Sequence, residues 1–108
     1  MFADHYQNNC LKTWDSNRNI RDQRLNAALG LGGESGEFQE IIKKHFFHGH
    51  SLDLDKIAKE LGDIQYYVAV AAYVFGFDLS QIMKLNNQKL AARYKNGFTV
   101  EESINRKE

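Results

Sequence analysis

The chain contains no proline, and this absence constrains its fold more than any other sequence feature. Proline interrupts helix interiors and is common in the turns and edge strands of β-proteins. Only two threonines and four valines appear, so two of the residue types that favour strands are scarce. A chain of 108 residues with this composition predicts a single all-α domain over residues 1–108, a four-helix-bundle-like fold.

Apolar periodicity and capping residues predict where the helices begin and end. The predicted helices run from about Phe2 to Trp14, from Asp22 to Phe47, from a cap at Ser51 or Asp53 to Phe75, and from a cap at Asp78 to Tyr94. Thr99 and Glu102 form a possible capping box for a short last helix. The third helix is apolar almost all round after Tyr66, which indicates burial on several sides. In so short a chain this favours a homodimer or homotetramer.

The second predicted helix contains Gly30, Gly32, Gly33 and Gly36. Each glycine costs up to about 1 kcal/mol relative to alanine in a helix interior. The cluster indicates either a break before Glu34 or a close approach by another helix or a ligand. GxGGxxG superficially resembles a phosphate loop, but no strand precedes it and no Gly-Lys-Ser/Thr follows. Packing is the favoured interpretation.

Two pairs of carboxylates carry most of the chemical information. Glu34 and Glu37 lie on the second predicted helix, and Glu60 and Asp63 lie on the third. Both pairs are spaced i, i+3, so the members of each pair share one helix face. If the two helices pack together, four carboxylates meet, and oxygen ligands of this kind suit Mg²⁺, with Mn²⁺ as an alternative.

The position of the acids on their helices supports a site. At about 100° per residue, Glu34 and Glu60 fall within the apolar arcs of their helices, and Glu37 and Asp63 lie at the edges. Glu40 lies farther out and is interpreted as a solvated residue. A single Glu-x-x-Glu pair is usually a solvated surface, but an unpaired charge on a buried face costs several kcal/mol. Two such pairs favour a metal site.

The fourth predicted helix carries polar residues on or beside its buried stripe. Asn86, Lys89 and Arg93 occupy these positions. Cationic groups there can hold the phosphates of a metal-bound ligand, or they can offset the acidic cluster as a plain ion-pair network. Phosphate binding is the favoured interpretation.

Composition excludes several other classes of protein. Lysine plus arginine equals aspartate plus glutamate at 14 each, so the net charge favours neither a nucleic acid polymer nor a membrane as partner. No hydrophobic run reaches the length of a membrane span, and the N-terminus lacks a signal-peptide pattern. The single Cys10 excludes an internal disulfide and is more typical of a small packed residue than of a nucleophile. A cytoplasmic location is expected.

The two acidic motifs resemble those of the MazG-type all-α nucleoside triphosphate pyrophosphohydrolases. That family's signature is Glu-Glu-x-x-Glu, a spacer, and then Glu-x-x-Asp, and this chain reads GESGE at 33–37 and ELGD at 60–63. EFQEIIKK after the first motif and NNQKLAARYKNGF at 86–98 are also similar to the family. The resemblance extends from about Leu25 to Phe98. Gly33 replaces the first glutamate of the signature, so no role of that glutamate is carried over.

The resemblance implies hydrolysis of a (deoxy)nucleoside triphosphate to the monophosphate and pyrophosphate. Glu34, Glu37, Glu60 and Asp63 match the magnesium ligands of the family. One of these carboxylates, Glu37 before Glu34, or a water activated by the ion would serve as the base. The resemblance also gives candidates for binding the substrate: Asn86, Lys89 and Arg93 for phosphate oxygens, and Tyr67 and Trp14 for stacking on the nucleotide base. For the two aromatic residues, core packing is an equal alternative.

Three other functions compete with this one. The first is a pyrophosphohydrolase of the same superfamily that acts on phosphoribosyl-ATP. The second is a regulatory bundle that binds metal or nucleotide without turnover. The third is a purely structural helical oligomer.

Overall fold

The computed structural model describes residues 1–106, which form five α-helices joined by short loops. The helices are α1 (Ala3–Leu11), α2 (Ile20–Phe47), α3 (Leu54–Val74), α4 (Leu79–Arg93) and α5 (Val100–Ile104). No β-strand is present in this part of the chain. The predicted all-α class is therefore confirmed, and each of the five predicted helices forms.

Side-chain caps explain most of the helix boundaries. Asn19 accepts a hydrogen bond from the Asp22 amide at 2.8 Å, so α2 begins two residues before the predicted start. The predicted cap Asp53 accepts from the Lys56 amide at 3.2 Å. The predicted cap of α5, Thr99, accepts from the Glu102 amide at 3.0 Å.

The end of α1 differs from the prediction. The helix ends at Leu11 rather than Trp14, and the chain continues in turns in which the Trp14 amide donates to the Leu11 carbonyl at 3.3 Å. The turn moves Trp14 into the core, where its indole N–H donates to Gln23 Oε1 at 3.0 Å. The i, i+4 spacing with Cys10 is compatible with a longer helix, but burying the indole with a hydrogen-bond partner determines the observed path.

The core lies at one end of the α2–α3 pair. Its buried members come from the first four helices and the α1–α2 connection: Cys10, Trp14, Ala27, Ala69, Val70, Val74 and Leu79. Ala27, Ala69 and Val70 have no solvent exposure. The small side chains allow α2 and α3 to approach closely, and Tyr66 and Tyr67 pack against the same cluster. Cys10 is a packed core residue, as predicted.

Side chains of α1 form hydrogen bonds to the corner between α3 and α4, the segment where the chain turns from one helix into the other. The buried side chain of Gln7 donates to the carbonyls of Ala69, at 3.0 Å, and Phe77, at 3.1 Å, and it accepts from the Leu79 amide at 3.0 Å. Asp4 accepts from both the amide and the hydroxyl of Ser80. Among these groups, the buried Leu79 amide stands at the start of α4, where a helix leaves its first N–H groups without intrahelical partners.

Helix α4 does not lie along α3. The two helices meet at 102°, so α4 projects away from the α2–α3 pair and leaves an apolar groove between itself and α3. Within residues 1–106 no single helix has both the length and the apolar character of a membrane span; the bent α3–α4 pair passes such a test only when its two helices are taken together.

Helix α2 runs unbroken through all four glycines, so the predicted alternative of a break before Glu34 is wrong. The other alternative, a close approach by a second helix, holds at Gly30. A β-carbon at Gly30 would overlap the ring of Tyr67 on α3. At Gly32, Gly33 and Gly36 nothing lies within 4 Å of such an atom. Gly30 therefore sets the distance between the two helices beside the acidic residues.

Candidate metal centre

Three of the four predicted acids converge where α2 faces α3. Carboxylate oxygens of Glu34, Glu37 and Glu60 lie within 4.8 Å of one another. Glu34 and Glu60 are half-buried, whereas Glu37 is exposed. The i, i+3 spacing places Glu34 and Glu37 one turn apart on α2, and the packing of α3 brings Glu60 opposite them. The arrangement is open on one side, where a ligand can enter.

Two oxygens of this cluster have no hydrogen-bond partner. They are Oε2 of Glu34 and Oε2 of Glu60, and both are inaccessible to solvent. A buried carboxylate oxygen without a partner is unfavourable, and a divalent cation is one group that satisfies several such oxygens together. The donors are all carboxylate oxygens, the ligand type of Mg²⁺ and Mn²⁺ rather than of Zn²⁺ or Cu²⁺. The residues present therefore fit a hard divalent ion.

The cluster changes the acidity of Glu34. Its pKa is raised from 4.5 to about 7, chiefly because one carboxyl of the close Glu34–Glu60 pair can donate a hydrogen bond to the other when protonated. Partial burial also raises the pKa of Glu34, as do the negative charges of Glu37, Asp63 and Glu60. Without a cation, the site lowers its own repulsion by holding a proton near neutral pH.

Asp63 lies beside the cluster without joining the group of three. Its side chain is exposed, yet its charge contributes to the raised pKa values of Glu34 and Tyr67 and to that of Tyr6, which reaches about 12. The predicted role of Asp63 as a fourth metal ligand stays a prediction. Its negative charge therefore adds to that of the cluster at Glu34.

The two aromatic candidates lie against each other and against the core. The rings of Trp14 and Tyr67 pack edge to face with centroids 6.5 Å apart, and Trp14 is 7% exposed. Trp14 follows the core-packing alternative, because its ring is covered and its N–H already has a partner. Tyr67 is half-buried beside Gly30, with a pKa raised first by burial and then by nearby groups that include Glu34 and Asp63.

The polar residues of α4 do not meet the acids within one chain. Asn86 and Lys89 line the α3–α4 groove, together with apolar residues such as Ile64 and Val68. Ile64 and Val68 lie about 40° and about 80° around α3 from Glu60, and none of the four acids lines the groove. Arg93, at the end of α4, lines a separate pocket formed with α5. The predicted role of Asn86, Lys89 and Arg93 in holding phosphates therefore stays a prediction.

A second set of cations lies beside the acids. Lys44 of α2 and Lys56 and Lys59 of α3 line a cleft of about 460 Å³ whose wall also includes Glu37 and Glu60. The sequence analysis assigned no role to these three lysines. The missed signal is spacing, since Lys56 precedes Glu60 by four residues and Lys44 follows Glu37 by seven, which places each near the helix face of its acid.

Comparison with known protein families identifies the family of this chain. Residues 23–98 match the family described as the MazG nucleotide pyrophosphohydrolase domain. The matched segment includes all four predicted acids and the polar residues of α4. No curated protein and no solved structure matches the chain. Because the family match covers well over half of its residues, the chain belongs to the MazG nucleotide pyrophosphohydrolase domain family.

Proposed function

We propose that the protein is a Mg²⁺-dependent pyrophosphohydrolase that converts a (deoxy)nucleoside triphosphate to the monophosphate and pyrophosphate. Membership of the family supports nucleotide pyrophosphohydrolase activity in general. One observation supports the metal requirement. Three carboxylates lie within 4.8 Å of one another, and two of their oxygens are buried without partners.

The exposure of each acid suggests its role. Glu34 and Glu60 are half-buried and hold their carboxylates in fixed positions, which suits ligands of the ion. Glu37 is exposed at the open side, so it can contact both the ion and an incoming water, and it is the first choice for the base. Asp63 is proposed as the remaining ligand. A bound Mg²⁺, with Mn²⁺ as an alternative, would neutralise and orient the phosphates.

The reaction forms one bond and breaks one bond. The oxygen of the water forms a bond to the α-phosphorus, and the bond from that phosphorus to the oxygen that bridges to the β-phosphate breaks. The water proton passes to the carboxylate of Glu37, and pyrophosphate leaves. The half-buried Tyr67 beside Glu34 is the remaining candidate for contact with the base. Trp14 is not part of this proposal, because its ring is enclosed in the core.

A second copy of the chain is proposed to cover the α3–α4 groove, giving a homodimer or homotetramer. The groove has a volume of about 600 Å³ and is largely apolar. Its residues Leu61, Met83 and Leu85 are each about half exposed, at 49%, 52% and 55%. Exposed apolar surface of this kind marks interfaces. Light scattering coupled to size exclusion tests this proposal, and a monomer at micromolar concentration would reject it.

Turnover is tested with a panel of nucleoside triphosphates and phosphoribosyl-ATP, by assaying pyrophosphate with Mg²⁺ and with EDTA. Glu37→Gln is expected to reduce turnover by at least about a hundredfold, as loss of a general base does. Asp55→Asn, an exposed acid in the first turn of α3, is the matched control with near-normal turnover. Near-normal activity of Glu37→Gln would reject the site.

The same panel separates the competing functions. Turnover of phosphoribosyl-ATP alone would favour the related pyrophosphohydrolase of histidine synthesis. Nucleotide binding without turnover of any compound would favour a regulatory bundle, and an absence of both would leave a structural oligomer.

A further inference from the structure

We infer that the cleft lined by Lys44, Lys56 and Lys59 binds the β- and γ-phosphates of the substrate, and hence the pyrophosphate leaving group. This inference rests on the proposed function and extends it to the orientation of the substrate. The cleft is defined by its position between the C-terminal half of α2 and the N-terminal half of α3. It has a volume of about 460 Å³.

The cleft adjoins the metal centre. Glu37 and Glu60 belong to the acidic cluster and also line the cleft. Lys56 lies one turn before Glu60 on α3, and Lys44 lies two turns beyond Glu37 on α2. At 1.5 Å per residue these offsets are about 6 Å and about 10 Å along the helices. A polyphosphate that begins at the acids therefore passes the lysines in turn.

Two acids of the cleft, Asp53 and Glu40, already have partners, whereas its lysines form no ion pair with any residue of 1–106. Asp53 caps α3 through the Lys56 amide, and Glu40 pairs with Lys43 at 3.8 Å. Glu37 and Glu60 face each other and Glu34 in the acidic cluster. The ion pairs formed within residues 1–106 include none of the three lysines that line the cleft. Their ammonium groups are available to an anionic ligand.

The cleft presents three ammonium groups beside four carboxylates, and this mixture of charges suits a polyphosphate that carries Mg²⁺. Ammonium groups bind phosphate oxygens as mobile point charges, and three of them on both walls can follow a chain of phosphates. The α-phosphate then lies at the carboxylates and the terminal phosphate lies towards the α2–α3 loop. The nucleoside consequently lies on the other side of the acids, where Tyr67 stands one turn beyond Asp63.

Binding of inorganic pyrophosphate by calorimetry in the presence of Mg²⁺ tests the inference. The variant Lys44→Gln/Lys56→Gln removes one lysine from each wall. We expect its affinity for pyrophosphate to fall at least about tenfold, the size of one lost charge-assisted contact. Its affinity for nucleoside monophosphate should stay within about twofold of the wild type, because the nucleoside lies beyond the acids. Lys43→Gln is the matched control, an exposed lysine on α2 that does not line the cleft.

The outcomes separate this inference from the proposed function. If the wild type turns over nucleotides but the double variant binds pyrophosphate as tightly as Lys43→Gln, the cleft assignment is wrong and the function stands. Equal weakening of pyrophosphate and monophosphate binding also overturns it, since that points to a general loss of charge. Selective loss of pyrophosphate binding supports the cleft even in a protein that turns over no nucleotide.

Discussion

The two ends of the α2–α3 pair are built in opposite ways. At the core end, small residues such as Ala27 and Ala69 are fully buried, and the buried polar groups of Gln7, Trp14 and Gln23 form hydrogen bonds. At the carboxylate end, Glu34 and Glu60 each keep a buried oxygen without a partner. At the core end, buried polar groups bond to other groups of the protein. At the carboxylate end, two buried oxygens can still bind a ligand.

This difference separates stability from function along one helix pair. The core end gains free energy from burial and from satisfied hydrogen bonds. The carboxylate end places like charges together, which is unfavourable until a cation or a proton is bound. Substitutions at the core end should therefore destabilise the protein, whereas substitutions at the carboxylate end should abolish activity without loss of stability.

The largest expected effect is at Gln7. Gln7→Leu removes three hydrogen bonds to backbone groups of the α3–α4 corner, of which the bonds to Ala69 and Leu79 are buried. The free energy of unfolding should fall by about 3 kcal/mol, since each unsatisfied group costs about 1–3 kcal/mol and the leucine recovers part by burial. Urea denaturation without metal measures the change. Gln39→Leu, exposed on α2, is the control, and a loss at Gln7 no larger than at Gln39 would contradict the role of the corner.

The next effect distinguishes two glycines of α2. Gly30→Ala forces the Tyr67 ring to move, and overpacking of this kind costs about 1–3 kcal/mol. Gly32→Ala meets nothing within 4 Å and should instead stabilise the helix by about 0.5–1 kcal/mol. Thermal unfolding of the two variants should therefore shift in opposite directions. Shifts of the same sign would refute the close approach of α2 and α3 at Gly30.

Relief of charge at the other end should have a smaller and opposite effect. Glu34→Gln removes one negative charge from the cluster and should stabilise the metal-free protein at pH 8, by about 0.5 kcal/mol for each like-charge contact relieved. The same variant should lose the rise in Tm that Mg²⁺ gives the wild type. Calorimetric scans with Mg²⁺ and with EDTA test both expectations, with Asp55→Asn as the control that keeps the Mg²⁺ shift.

The last expected effect is a dependence on pH. The pKa of Glu34 is raised to about 7 in the folded protein, so between pH 4.5 and pH 7 the folded state holds a proton that the unfolded state has released. This contribution to stability is present below pH 4.5 and is lost as the pH rises through 7. Because Mg²⁺ must displace the proton, the rise in Tm on adding Mg²⁺ should be larger at pH 8 than at pH 6. A rise that is larger at pH 6 would contradict proton–metal competition at Glu34.

Local sequence signals were sufficient for the helices and for the acids. The absence of proline predicted a helical chain. The caps Asp53 and Thr99 predicted helix starts that agree with the structure to within a few residues. The i, i+3 spacing and the apolar arcs placed each pair of acids on one face of its own helix. Both predictions depend only on residues within a few turns of one another, which helix geometry relates directly.

Contacts between distant residues could not be predicted in the same way. Spacing along α4 indicated a phosphate-binding face, but the 102° corner, held by Gln7, turns Asn86 and Lys89 away from the acids of the same chain. Residue spacing predicted that α1 continues to Trp14. In the structure the indole N–H of Trp14 donates to Gln23 and the ring lies in the core. In each case one buried polar contact between separate elements decides the direction of the chain.

The sequence alone therefore determined that the chain is helical, that it carries two acidic pairs and that these resemble a family of nucleotide pyrophosphohydrolases. Only the tertiary structure decided which cations lie beside those acids. Lys44 and Lys56 are twelve residues apart in the chain and belong to different helices, and the packing of α2 on α3 brings them to one cleft. Helical periodicity assigns a residue to a face of its own helix, but the crossing of two helices determines which faces meet.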